Sequence, residues 1–293
     1  MVILALDRFK LLYEDVNKDY LALNPNLTPE QIDLLYQTKG VDKETLARNP
    51  KLTEEQFMRF FNNDSVDKDY LAENPRLTTE QIDLLYQTKG VDKETLAAMT
   101  KLTNEQFMRF FNDEGFNKDN LTYNDYLTTE QIDLLYQTQG VDRGSLSRFS
   151  KLTDIQFMRL FNDEDFNKND LSQNPNLTPE QIDLLYFAGA NRNSLASYSK
   201  LTDEQFMRFF NNEDFDKIYL SVNRNLTTEQ IDLLYQTEGA DKHNLSRYSQ
   251  LTNEQFMRFF NDEFVNNNYL AQNPSINAPA NQPFASGIFN WKW

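Results

Sequence analysis

The dipeptide Leu-Thr recurs along this chain at Leu27, Leu52, Leu77, Leu102, Leu127, Leu152, Leu177, Leu201, Leu226 and Leu251, at intervals of 25 residues except for one of 24. A fixed period of that length marks stacked structural units, each packed mainly on its neighbours, rather than one globular core. A second series, Leu46, Leu71, Leu96, Leu121, Leu146, Leu171, Leu195, Leu220, Leu245 and Leu270, keeps step with the first. Two elements therefore repeat together. The short interval falls in Tyr186-Phe-Ala-Gly-Ala190, where the first unit reads Tyr36-Gln-Thr-Lys-Gly-Val41. A turn has lost a residue there, while the flanking helices keep their pattern.

The first element is a helix with a well-specified start. Thr28-Pro29-Glu30-Gln31 places Thr at the N-cap, Pro at the first helical position and Gln at the third, a capping box that all ten units keep as Thr-x-x-Gln. Ile32, Leu35 and Tyr36, like Phe57, Phe60 and Phe61 one unit later, fall at i, i+3 and i+4, the stripe of a helix packed on one face. Gly40, Gly90, Gly140, Gly189 and Gly239 end this helix in alternate units. The second element is shorter: Asp42 caps about two turns that bury Val41 and Leu46 before Asn49-Pro50 stops the helix.

Units alternate in kind. Odd ones carry Gln-Ile-Asp-Leu-Leu-Tyr and even ones Gln-Phe-Met-Arg-Phe-Phe or a close variant, so the true period is a pair of about 50 residues. Superposing units brings Asp33 level with Met58 and Leu34 level with Arg59. Stacking is then expected to set Asp33, Arg59, Asp83, Arg109, Asp133, Arg159, Asp183, Arg208, Asp232 and Arg258 in one acid–base line along the array. The fold class expected is all-α, a right-handed superhelical solenoid of about ten two-helix repeats. Helix spacings of about 8–10 Å make it roughly 80–100 Å long.

The string Asn24-Pro-Asn-Leu-Thr-Pro-Glu-Gln31, with its 25-residue period and long-then-short helices, resembles the leucine-rich repeat variant family over residues 24–273. The resemblance implies stacked pairs of an α-helix and a shorter α or 3₁₀ helix in a curved superhelix, and it implies no reaction. The chain departs from the family pattern in its strict alternation, in Phe for Leu in the even helices, and in lost Asn-Pro pairs, as at Met99-Thr100 and Tyr248-Ser249. The iron–sulfur module that accompanies some members needs cysteine, and this chain has none.

The division expected is a degenerate capping half-repeat over 1–23, the solenoid over 24–273 and an extended tail over 274–293. The N-terminal half-unit is read from Asp7-Arg-Phe-Lys-Leu-Leu-Tyr13 and Val16-Asn-Lys-Asp-Tyr-Leu21, a worn even unit. The tail ends in Phe284, Ile288, Phe289, Trp291 and Trp293, which include both tryptophans. That concentration asks for a pocket, either on the uncovered stripe of the last repeat or on another molecule.

Charge and inventory narrow the function. With 29 Lys and Arg against 45 Asp and Glu the net charge is −16, which opposes nucleic acid and anionic lipid. No basic leader precedes the apolar opening Met1–Leu6, and no apolar run approaches the twenty residues that span a bilayer, so a soluble chain of unassigned compartment is expected. Carboxylates recur at equivalent positions in every unit, whereas a catalytic pair should occur once in a differentiated pocket. His243 has no partner motif, and turns such as Asn162-Asp-Glu-Asp165 lack the alternating ligands of a calcium loop. No catalytic residue, cofactor, metal or small-molecule substrate is assigned. The sequence points to a non-enzymatic scaffold with protein partners, in a large assembly such as a phage or virus particle, the aromatic tail docking into a neighbour. The alternative is a receptor-like module that binds a peptide or protein on its concave face.

Overall fold

The computed structural model describes residues 7–277, and these form helices and turns alone. Long and short helices alternate as eleven pairs. They are α1 (Arg8–Tyr13) with α2 (Lys18–Ala22), α3 (Pro29–Gln37) with α4 (Lys43–Ala47), α5 (Glu54–Phe61) with α6 (Asp69–Ala72), and α7 (Thr79–Gln87) with α8 (Lys93–Met99). Then come α9 (Asn104–Asn112) with α10 (Asp119–Thr122), α11 (Thr129–Gln137) with α12 (Arg143–Phe149), and α13 (Asp154–Phe161) with α14 (Lys168–Leu171). The series ends with α15 (Pro179–Phe187) and α16 (Arg192–Tyr198), α17 (Asp203–Phe210) and α18 (Ile218–Ser221), α19 (Thr228–Tyr235) and α20 (Lys242–Tyr248), and α21 (Asn253–Phe260) and α22 (Asn267–Leu270). The shorter helices are α-helical, not 3₁₀.

Each long helix from α3 onward begins with a formed capping box, Thr hydroxyl to the third N–H and Gln side chain back to the cap N–H. Gly40 takes φ 88°, as its equivalents in alternate units do, which is the left-handed turn that frees the chain from the odd helices. The stripes named above fill one continuous core: Ile32, Leu35, Leu46, Phe57 and Phe60 are all buried, and so are their counterparts along the chain.

The short helices stop for a different reason than the sequence suggested. Helices α10 and α18 end before Asn124-Asp125 and Asn223-Arg224, with no proline present, whereas α8, α12, α16 and α20 run two residues past α4 where the asparagine is Met99, Phe149, Tyr198 or Tyr248. The asparagine is therefore the stop. Its Oδ1 takes the N–H two residues on, as in Asn124 to Tyr126 at 2.8 Å, and its amide reaches the preceding unit. Asn49 Nδ2 donates to Asn24 O at 2.8 Å, Asn74 to Asn49 O at 2.9 Å, and Asn174 to both Ser147 O and Ser150 O at 2.6 and 2.8 Å. These asparagines are buried, so at seven units, those of Asn24, Asn49, Asn74, Asn124, Asn174, Asn223 and Asn273, an interior amide ties the unit to the one before.

The row does not end at the last unit. Asn24 Nδ2 donates to Ala271 O and Asn273 O, both at 2.8 Å, and helix α2 packs on α22 as well as on α4. Two further bond series cross the same junction. Asp42 N donates to Asp19 Oδ1 at 2.9 Å inside the array, and Asn17 N donates to Asn268 Oδ1 at 3.2 Å across it. Gln81 Nε2 reaches Glu54 Oε2 of the preceding helix at 2.6 Å, and Arg8, which stands where other helices carry that Gln, reaches Asn253 Oδ1 at 2.5 Å. The solenoid is a closed ring of eleven units, about 33° of turn per unit. Closure corrects the open, elongated array expected from the sequence, and it leaves no pitch from which the expected right-handed superhelix could be read.

The eleventh unit is composite. Asn273-Pro-Ser-Ile276-Asn277 supplies the turn that precedes a long helix, and residues 7–22 from the other end of the chain supply the helices. Ile276 is buried in the position of Leu27, and Asn277 Oδ1 receives Gln31 Nε2 at 3.0 Å. Residues 7–22 are thus an interior unit packed on both sides, not a cap, and 274–277 belong to the ring, not the tail. The remainder of the tail, with Phe284, Ile288, Phe289, Trp291 and Trp293, lies outside the described residues. The last repeat's stripe, one of the two pockets considered for it, is already covered by Phe9 and Leu12.

Arg8 bolts the junction. Buried, it donates to Leu251 O at 3.3 Å, Ser275 O at 2.6 Å and Asn253 Oδ1, with its guanidinium 4.7 Å from the Phe256 ring centre. Every acceptor is neutral, and desolvation lowers its pKa to about 10.

Candidate functional site

The short helices pack closely on one another round the ring at every step but α14 to α16, next to the shortened turn, while successive long helices stand further apart. The short helices therefore trace the inner circumference and the long helices the outer one. The predicted acid–base residues lie on the outer helices. Arg109 pairs with Asp83, Arg159 with Asp133 and Arg208 with Asp183, each at 2.8 Å, Arg258 with Asp232 at 2.5 Å, and Arg59 with Asp33. Each arginine reaches back to the preceding odd unit, and no bridge among the described residues joins it to the aspartate that follows. The expected continuous line is five separate pairs.

Each pair is the edge of a larger cluster. Gln106 Nε2 donates to Asp83 Oδ1 at 3.0 Å, and the Arg109 guanidinium lies 3.9 Å from the Tyr86 ring centre. Lys93 approaches the same ring at 4.3 Å, so the tyrosine lies between two cations, and its edge meets Phe110 at 5.2 Å. Tyr36, Tyr136, Tyr186 and Tyr235 repeat the arrangement with two cations each. Hydrogen bonds from Gln106 and Arg109 hold the Asp83 carboxyl below its ordinary range, and Gln156 and Arg159 do so for Asp133. At Asp33, Asp183 and Asp232 partial burial pushes upward and the equivalent donors outweigh it. The aspartates remain partly exposed, so each pair contributes about 0–1 kcal/mol of mainly geometric value.

Because aspartate points forward and arginine backward, the alternate interfaces are decided by the same two positions. Met58 stands opposite Leu84 in register, Met108 opposite Leu134, Met158 opposite Leu184, Met207 opposite Leu233, and Met257 opposite Leu11 of the composite unit. The outer face therefore alternates charged clusters with partly exposed Met and Leu positions. Leu34, which faces Lys10 instead of a methionine, is the most exposed of its series at 44%.

No known protein family, curated protein or solved structure matches this chain.

Two outer residues were not singled out as site residues from the sequence. Ile155 is 81% exposed and Phe187 75% exposed, and the equivalent positions hold Glu in every other even unit and Gln in every other odd unit. Departure from the repeat at a solvent-facing position was the available signal, since nothing in packing requires an apolar side chain there. His243, another departure, caps nothing: its ring lies half-exposed against Tyr269 at 5.0 Å. Among the described residues no cluster of three His, Asp or Glu side chains is placed to hold a metal, and no helix is long and apolar enough to cross a membrane.

One carboxylate is more strongly perturbed. Burial works to raise Asp262, yet Tyr235 Oη at 2.6 Å, Lys242 Nζ at 2.9 Å and Phe264 N at 2.9 Å hold it at about 2, while burial and this carboxylate push Tyr235 up to about 12. A depressed folded-state pKa stabilises above the unfolded value near 4, and that stability is lost as pH falls towards 2. At about 1.4 kcal/mol per unit the contribution is about 2 kcal/mol at neutral pH. Asp262→Asn is expected to lower the denaturation midpoint at pH 7 and to flatten the acid limb between pH 4 and 2. Identical acid limbs for the two chains would contradict the assignment.

Proposed function

We propose that this protein is a non-enzymatic scaffold that holds other proteins in a larger assembly, with its C-terminal aromatic segment as the docking element. The observation that carries the reading is how the buried polar groups are used: the asparagine row and the Gln–Asp–Arg clusters serve unit-to-unit bonds. A closed ring with recurring clusters offers a rigid platform of defined diameter, which suits an accessory component of a phage or virus particle. Its ancestry, on this reading, lies with proteins of the leucine-rich repeat variant type. Fold alone carries no activity, and the docking role rests on the concentration of aromatics in 284–293.

Capture from the native source, using the full chain and a Trp291→Ala/Trp293→Ala variant as baits, tests the proposal. The expected result is loss of one abundant partner from the variant. Identical partner sets would overturn the docking role.

A further inference from the structure

Three short helices carry an arginine two residues after their marker leucine: Arg48, Arg148 and Arg247. The unit that follows neutralises the first two. Arg48 meets Glu73 at 3.1 Å and lies 4.5 Å from the Tyr70 ring centre, and Arg148 meets Asp170 at 2.7 Å. In the unit that follows Arg247 the same two positions hold Gln272 and Tyr269, and no salt bridge among the described residues reaches Arg247. The unit before adds a second cation. Arg224 stands four residues after its marker Leu220, at a position that is Pro25 before Arg48, Asp125 before Arg148, and basic in no other unit. Its guanidinium lies 5.1 Å from the Tyr248 ring centre, and that of Arg247 lies 4.9 Å from the same ring. Burial lowers the Arg224 pKa and the charge of Arg247 also lowers it, as follows when like charges are held together. Tyr198, 51% exposed at the end of α16, acts on the same guanidinium.

We propose that Arg224 and Arg247 bind a compact oxyanion, the carboxylate or phosphate group of a small ligand, beside the rings of Tyr248 and Tyr198. The fixed fork of N–H donors on a guanidinium matches the edge of either group. The shared Tyr248 ring restrains both guanidiniums, so less freedom is lost when a ligand arrives. Charge sets the size of that ligand. Arg48 with Glu73, and Arg148 with Asp170, each sum to zero, whereas Arg224 and Arg247 place two positive charges together on a chain of net charge −16. A polyanion such as nucleic acid is repelled along its whole length by such a chain, while a single small anion lies within screening distance of the pair and feels mainly that. Arg247 and Tyr248 close α20, so the site belongs to the inner circumference traced by the short helices. It is separate from the outer Gln–Asp–Arg clusters and does not depend on the docking role given to the tail.

Thermal melts of the full chain in inorganic phosphate and, separately, in acetate, with ionic strength held constant by sodium chloride, test the site. A ligand that binds only the folded chain raises the melting temperature with its occupancy. The expected result is a saturable rise with at least one of the two anions, its half-saturation concentration moved up roughly tenfold or more in Arg247→Gln. Gln272→Glu supplies the carboxylate that Arg48 finds in Glu73, and it is expected to suppress the response without removing a donor. Arg148→Gln breaks a pair that is already neutral and is expected to melt lower while keeping the parent's response. Phosphate also stabilises by exclusion from the protein surface, a gradual effect that every variant shares. The anion that saturates identifies the group bound: phosphate, carboxylate or both. Three results would overturn the inference: no saturable response to either anion, an Arg247→Gln or Gln272→Glu chain that responds like the parent, or an Arg148→Gln chain that loses the response equally.

Discussion

Phe9→Ala is expected to open the ring. Phe9 is buried in α1, and truncating a core phenylalanine costs about 3–5 kcal/mol. The same truncation at Phe57 removes similar contacts, but there the chain itself runs across the interface and holds both sides together. Between α21 and α1 no covalent link exists, so the junction can part by separating the two halves of the composite unit while the other ten units stay folded. The variant is expected to lower the denaturation midpoint and to raise the radius of gyration in small-angle scattering, whereas Phe57→Ala lowers the midpoint alone. An unchanged scattering profile for Phe9→Ala would show that Arg8 and the asparagine bonds keep the ring shut by themselves.

Asn174 is the second site where one change is expected to be costly. Its amide donates to Ser147 O and Ser150 O, its Oδ1 accepts from Asn176 N at 2.8 Å, and it is buried. Asn174→Ala leaves these groups without partners in the buried interior, at about 2–3 kcal/mol. Asn174→Asp keeps the shape but sets a carboxylate against two carbonyl oxygens and is expected to cost more than 3 kcal/mol at neutral pH. The pH dependence carries the diagnosis. A carboxyl so placed has its folded pKa raised, so its penalty is full above that pKa and fades as pH falls and the protonated acid donates again. Urea midpoints at pH 7 and pH 5 should converge towards those of Asn174→Ala; an aspartate no worse than alanine at pH 7 would remove the asparagine row from the account.

Local structure was legible in the sequence because its determinants are local. The capping boxes, the core stripes and the turn that lost a residue are each set by a few neighbouring side chains, and the long helices start where Thr-x-x-Gln places them. The directions of Asp33 and Arg59 were not legible: superposition gives their level on the helix but not which neighbour each one faces, so a chain of pairs read as a line. Closure was hidden for a stronger reason. The turn per unit comes from the packing of long helices against shorter ones, and no single residue encodes it. One trace was readable all the same. The C-terminal remnant Asn273-Pro-Ser-Ile276 holds the half of a repeat that the N-terminal remnant lacks, and the two halves make one unit.

Eleven is an odd number, and two kinds of unit cannot alternate without fault round an odd ring. The composite unit absorbs the mismatch: it offers Leu11 to Met257 on one side, Lys10 to Leu34 on the other, and has neither Asp nor Arg at the cluster positions. Inserting or deleting one 25-residue unit would move the fault into the body of the ring. A whole 50-residue module would preserve the alternation but would change the angle at which the ends meet. Open solenoids can grow by gene duplication in small steps; this one, once closed, has its copy number locked by geometry.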